Sequence, residues 1–176
     1  MTEDFTKFIE QMKHQRPVEW NHLPDFSLYM DQVLSYMERQ LILGDGQDSL
    51  TAAMVNNYTK SGLVPRAEGK KYNREHIAYL TAVCVLKRVM ATKDIDTVIR
   101  DELHQRNNVQ AGYEEFCKSL DTAITTTTHE MESYADKGTL ADSAIHFALL
   151  SYAASVATQY YVNQLGRQAG DVTDKK

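Results

Sequence analysis

The strongest constraint on this 176-residue chain is a run of punctuation between residues 48 and 80. Asp48, Ser49 and Thr51 each offer a side-chain oxygen that accepts a backbone N–H at a helix start. The helix they open reaches about Lys60. Gly62 is placed to end it, because glycine takes the left-handed cap conformation cheaply. Pro65 then forbids continuation. Residues 66–72 are short, polar and basic, with Gly69 near the middle, and suit a tight hairpin or loop. Asn73 caps a further helix whose buried side is expected to hold Ile77, Leu80, Thr81, Cys84, Val85 and Val89. The sequence thus specifies a short helix, a compact basic turn and a second helix in immediate succession.

Helical spacing governs the rest of the chain. Phe5, Phe8, Ile9 and Met12 predict a helix over residues 4–14, stopped by Arg16-Pro17. Val18, Trp20 and Leu23 form an irregular apolar segment, with Trp20 as the plug that docks it. Pro24 and Asp25 are expected to open a helix carrying Leu28, Tyr29, Val33, Leu34, Met37 and Leu41, closed by the turn Gly44-Asp45-Gly46. Thr92 and Asp94 restart a helix with Ile95, Val98, Ile99 and Leu103 inward. Asn107-Asn108 marks a boundary. Two long helices follow, over residues 109–134 and 140–165. Four threonines at 125–128 mark a weak or bent place in the first, since threonine loses rotamer freedom in a helix. The second is apolar nearly all round and calls for burial, within the chain or against a partner. The tail from Gly170 is polar and expected to be disordered.

With only 8 glycines and 3 prolines, a loop-rich all-β fold is disfavoured. Net charge is −5, which alone argues against nucleic acid, but the charge is unevenly placed. Residues 51–100 hold 9 basic and 4 acidic side chains, whereas both flanks are acidic. A basic middle of this kind is the electrostatic footprint an anionic polymer requires. The N-terminus lacks the apolar run of a signal peptide. Asp142, His146, Gln159 and Asn163 make residues 140–165 a poor membrane span, so a soluble, cytoplasmic protein is expected. Cys84 and Cys117 are too far apart for a CxxC pair and are read as buried thiols.

The stretch Met54-Val55-Asn56-Asn57-Tyr58-Thr59-Lys60-Ser61-Gly62-Leu63-Val64-Pro65, followed by Lys70-Lys71-Tyr72-Asn73-Arg74-Glu75-His76-Ile77, resembles the helix-turn-helix and wing of MerR-type transcriptional regulators. Leu28-Tyr29-Met30-Asp31-Gln32-Val33, Asn56-Asn57-Tyr58-Thr59-Lys60 and Lys71-Tyr72-Asn73-Arg74-Glu75-His76-Ile77 resemble, more closely, an uncharacterised bacterial family related to MerR. The resemblance implies a short helix in the major groove and a hairpin wing on flanking phosphate. It departs at Asn56-Asn57-Tyr58, where MerR proteins usually carry Arg-Tyr-Tyr, so a phosphate-gripping arginine is missing. Asparagine pairs with an adenine edge through two hydrogen bonds, which makes Asn56 and Asn57 candidate base readers. Lys60, Arg66, Lys70, Lys71 and Arg74 are candidate phosphate contacts. Tyr58 is either a phosphate donor or a core anchor, and Tyr72 reads as core.

No nucleotide-binding, hydrolase or metalloprotease motif is present, so enzyme activity is not expected, and no cofactor is called for. His129, Glu130 and Glu132 form a polar cluster read as surface rather than as a metal site. Phe147, Tyr152, Tyr160 and Tyr161 suit a dimer interface better than a ligand pocket. The expected fold is mainly α: a MerR-like winged helix-turn-helix followed by a C-terminal helical hairpin. The divisions are an arm over 1–23, the winged domain over 24–106, a helical region over 107–169 that dimerises or binds an effector, and the tail over 170–176. The expected function is regulation of transcription by binding double-stranded DNA as a homodimer through the C-terminal helices, with a small-molecule effector possible. The alternatives are a protein-interaction module that keeps the fold without DNA binding, and a small-molecule-binding protein.

Overall fold

The computed structural model describes residues 2–14, 16–40, 49–135 and 137–173. Among these the chain is mainly helical. Its helices are α1 (Glu3–His14), α2 (Met30–Gln40), α3 (Ala52–Ser61), α4 (Arg74–Leu86), α5 (Thr92–Arg106), α6 (Val109–Tyr134) and α7 (Leu140–Thr173). A 3₁₀ turn (Trp20–His22) lies between α1 and α2. The expected turn at 44–46 and its neighbour Leu41 fall outside the described residues.

Local chemistry sets the helix ends. Thr51 is the residue that caps α3, its hydroxyl accepting the Met54 N–H at 3.2 Å. Gly62 closes the helix at φ 80°, in the left-handed region as expected. Asn73 caps α4 by accepting the His76 N–H at 3.3 Å, and His76 Nδ1 lies 3.1 Å from the Asn73 N–H. Asn108 caps α6 in the same way through the Ala111 N–H. Each cap satisfies a donor the helix cannot satisfy itself and is worth about 1 kcal/mol.

The core gathers on α4. Ile77, Leu80, Val83 and Cys84 are almost fully buried, and α4 packs on α2 through Val33 and Met37 and on α6 through Tyr113. Val55, Leu63, Val64 and Ile95 complete the same cluster. Burying side chains of this size stabilises by roughly 1.5–3 kcal/mol each, so α4 is the element least tolerant of truncation. The core crosses both expected divisions, 23/24 and 106/107: Leu23 and Tyr113 belong to the central cluster, and Val18, Trp20 and Phe116 pack against it. The Tyr113 hydroxyl donates to the Val18 carbonyl at 2.7 Å, fixing the segment after α1 onto α6. Trp20 is half-buried and tilted against Tyr113, with ring centroids 6.1 Å apart.

Several expectations are corrected. Helix α2 begins at Met30, not at Pro24-Asp25. Leu28 instead exchanges two backbone hydrogen bonds of 2.8 Å with Tyr72, so tertiary pairing displaces the first turn of the predicted helix. Helix α4 ends at Leu86, and tight turns through 87–90 leave Val89 73% exposed rather than buried. The threonines at 125–128 do not interrupt α6. Thr127 and Thr128 bond back to the carbonyls of Ala123 and Thr125, which satisfies their hydroxyls within the helix. Helix α7 passes through Gly170 to Thr173, where a disordered tail over 170–176 was expected; residues 174–176 lie outside the described residues. It does not fold back along α6 as a hairpin. It meets α6 near its start, through Tyr134 and His146, and packs mainly on α5 through Val162. Its apolar residues are therefore largely exposed within this chain.

Candidate nucleic-acid interface

Helix α3 and the turn after it build the basic surface. Leu63 and Val64, buried between them, hold the two pieces together. The Val64 N–H donates to the Tyr58 carbonyl at 3.2 Å, which bends the chain sharply out of α3. Glu68 and Lys71 then pair through two backbone hydrogen bonds of 3.1 and 2.9 Å. The two residues between them, Gly69 and Lys70, sit at φ 56° and 67°. Positive φ at both central positions is the two-residue hairpin geometry that matches strand twist. The tight hairpin or loop expected at 66–72 is thus a hairpin, closed by the single isolated bridge Glu68–Lys71 rather than by extended strands.

Asn56, Thr59 and Lys60 from α3 face Arg66, Ala67, Lys70 and Tyr72 from the hairpin, with Met30 at the start of α2, across one open concavity of about 430 Å³. Asn56, Lys60, Arg66 and Lys70 are all exposed. Three cations and an amide thus converge on one outward opening.

The other expected contacts go elsewhere. Asn57 is exposed but does not line the concavity. Tyr58 is a core anchor: it is 8% exposed, and burial pushes its phenol above the ordinary value, with Cys84 adding to the shift. Lys71 places its ammonium over the Tyr29 ring, 5.2 Å from the centroid. Arg74 turns inward. Its guanidinium lies 5.7 Å from the Trp20 centroid and its buried Nε has no hydrogen-bond partner. Tyr72 is buried, as expected. The basic middle of the sequence therefore divides, because aromatic rings flanking the hairpin draw two of its cations aside.

One supporting residue escaped sequence reasoning. His76 is 3% exposed, stands edge-on to Tyr72 with centroids 5.4 Å apart, and has Nε2 3.2 Å from the Arg66 carbonyl oxygen. It ties the α4 cap to the start of the hairpin. The available signal was its place three residues after a capping asparagine, where a side chain reaches back to the cap.

Residues 18–120 match the family model described as Domain of unknown function (DUF1836). The chain belongs to the DUF1836 family. No curated protein and no solved structure matches the chain. The DUF1836 span includes α3, the hairpin, α4 and Tyr113, and so takes in the whole concavity and most of the core. Helix α7 lies beyond it.

Elsewhere, the polar cluster on α6 is dispersed among different partners. Glu130 pairs with His146 at 3.1 Å and Glu132 with Lys13 at 2.7 Å. Cys84 is buried and Cys117 half-buried, both as free thiols. Burial raises both, Cys84 to about 11. Between α4, α5 and α6 lies a small apolar cavity of about 100 Å³, bordered by Ala82, Val98, Leu103, Gly112 and Phe116.

Proposed function

We propose that this protein is a DNA-binding transcriptional regulator whose contact surface is α3 with the 66–72 hairpin. The observation that carries the reading is the convergence of Asn56, Lys60, Arg66 and Lys70 on one exposed concavity. In this reading α2, α3 and the hairpin supply the order of a MerR-like winged helix-turn-helix. Lys60, Arg66 and Lys70 neutralise phosphates, which gives affinity and register. Asn56 reads a base edge. Asn57, further round α3, is a second reader once the helix enters the groove. The protein acts in the cytoplasm, without catalysis, as a pair of identical chains on a two-fold site, because one short helix contacts few base pairs.

The decisive test is DNA retention across a salt series, followed by selection of genomic fragments. A binder of this design shows log affinity falling linearly with log salt, and an enriched palindrome. No retention at about 50 mM salt overturns the reading.

A second reading is favoured by the departure of Lys71 and Arg74 to aromatic rings, which reduces the expected cationic set of Lys60, Arg66, Lys70, Lys71 and Arg74 from five to three. It is a protein-interaction module with the same fold and no DNA affinity. The same salt series separates the two.

A further inference from the structure

Helix α7 has an apolar surface that its own chain leaves open. Residues 143–166 contain no Asp, Glu, Lys or Arg. On one side Phe147, Thr158 and Leu165 are half-buried and Val162 is buried, toward α6 and α5. On the other side stand Ile145, Leu149, Tyr152, Val156 and Tyr160, exposed by 59%, 62%, 70%, 54% and 59%. The first four follow spacings of four, three and four. The same alternation reaches Gln159 and then Asn163, whose side chains are hydrogen-bonded to each other at 3.2 Å, and at Asn163 the stripe meets α5 beside Lys93 and Asp94. This is the 3.5-residue repeat of a helix–helix seam, closed by a polar pair at its end.

We propose that this stripe is the seam of a homodimer, covered by the same stripe of a second copy. A 3.5-residue repeat calls for a helix with a matching repeat, and α7 itself supplies one. An uncharged, self-similar stripe suits a two-fold contact in which the same patch serves both chains.

The area is sufficient. Aliphatic side chains of this size bury on the order of 100 Å², and aromatic ones about 150–250 Å². At the exposures given, the five residues offer roughly 400 Å² per copy. With the flanking positions that a seam also covers, the pair passes the ~1,000 Å² that a specific interface needs.

A lipid bilayer is the competing occupant, since the helical stretch 140–168 is long and apolar enough to cross one, an 18-residue window of it having a mean hydropathy of 1.3. The anchors at both ends of the stretch speak against it. His146 is stacked on Tyr134 with centroids 3.9 Å apart and pairs with Glu130, while Asn163, Gly166 and Arg167 face Lys93, Asp94 and Thr97. Insertion of α7 would either strip it from these partners or carry their charges into hydrocarbon, at a cost of several kcal/mol per ion.

The inference stands independently of DNA binding and is tested on the full chain without DNA. Light scattering at micromolar concentration is expected to give twice the chain mass for the wild type. Leu149→Glu with Val156→Glu is expected to halve it while circular dichroism stays helical. Leu149→Gln with Val156→Gln serves as the second pair should the glutamates disturb folding. Val89→Glu, an exposed apolar position off the stripe, should leave the dimer intact. A monomeric wild type overturns the proposal, as does a dimer that survives both double substitutions. Co-sedimentation of the wild type with phosphatidylcholine–phosphatidylglycerol vesicles, in place of dimerisation, overturns it in favour of the bilayer.

Discussion

His76 Nε2 lies 3.2 Å from the carbonyl oxygen of Arg66, ten residues earlier in the chain. A carbonyl only accepts, so Nε2 carries the proton and donates. The imidazole thereby fastens the first residue of the hairpin to the cap of α4, inside the core. Removing it leaves the Arg66 carbonyl and the Asn73 N–H without this partner in a partly buried site. We expect His76→Ala to destabilise the fold by about 2–4 kcal/mol, combining lost hydrogen bonds with a cavity. Urea unfolding measures the loss. Hydrogen exchange should show it first at the Glu68 and Lys71 amides, which close the hairpin. Exchange unchanged there would refute the fastening role.

Lys70 occupies the left-handed region at φ 67°, an arrangement that costs a residue with a Cβ roughly 1–2 kcal/mol. Lys70→Gly should therefore leave the melting temperature equal or higher while removing one cation from the concavity. DNA affinity, if present, should fall in the same variant. The mirror experiment is Gly69→Ala. Nothing lies within 4 Å of the added Cβ, so any destabilisation is backbone strain at φ 56°, expected at about 1 kcal/mol. Differential scanning calorimetry on both variants gives opposite signs if the turn is as described.

Lys60 and Asn56 line the same concavity but have different tasks in the proposed function. Lys60→Ala should weaken binding to all sequences alike and reduce the slope of log affinity against log salt by about one. Asn56→Ala should leave the slope unchanged and relax preference at one base pair. Equal slopes for the two variants would contradict the assignment of phosphate to one and base to the other.

Burial holds the Cys84 thiol protonated to about pH 11, against 9.0 for the unperturbed group. Above pH 9 the unfolded chain loses this proton while the folded chain keeps it. Fewer protons are then bound in the unfolded state, and stability falls as pH rises. Below pH 9 the contribution is complete. Between about pH 9 and pH 11 the unfolding free energy should decline, and Cys84→Ala should flatten the lower part of that decline, before the tyrosines begin to ionise. The measurement is the denaturation midpoint as a function of pH. In native protein a thiol reagent should reach half-buried Cys117 before Cys84.

Tyr113 donates its hydroxyl to the Val18 carbonyl at 2.7 Å and is otherwise embedded in the core. Tyr113→Phe keeps the ring and removes this bond together with the hydroxyl's contacts to Cys117 and Thr81. A loss of about 1–3 kcal/mol is expected, because the Val18 carbonyl loses its donor in a partly buried place. Limited proteolysis should then cut residues 16–23 earlier than in the wild type.

The sequence by itself determined what a few neighbouring residues decide among themselves. Thr51, Gly62, Asn73 and Asn108 end or begin helices through bonds to backbone a few positions away, and Gly69 allows a two-residue turn wherever the chain must reverse. These are short-range effects, so they are legible without a fold, as are the apolar faces of α4 and α6. Tertiary structure decided the rest. Leu28 was written as helix and became the partner of Tyr72, because pairing with a distant residue outweighed a weak local preference. Lys60, Lys70, Lys71 and Arg74 stand close in sequence, yet only the first two share an opening, since Tyr29 and Trp20 stand where the fold alone places them. Helix α7 was legible as apolar all round. That its two ends would be held by α6 and α5 while one stripe faced outward depends on where those helices lie, which no local pattern encodes.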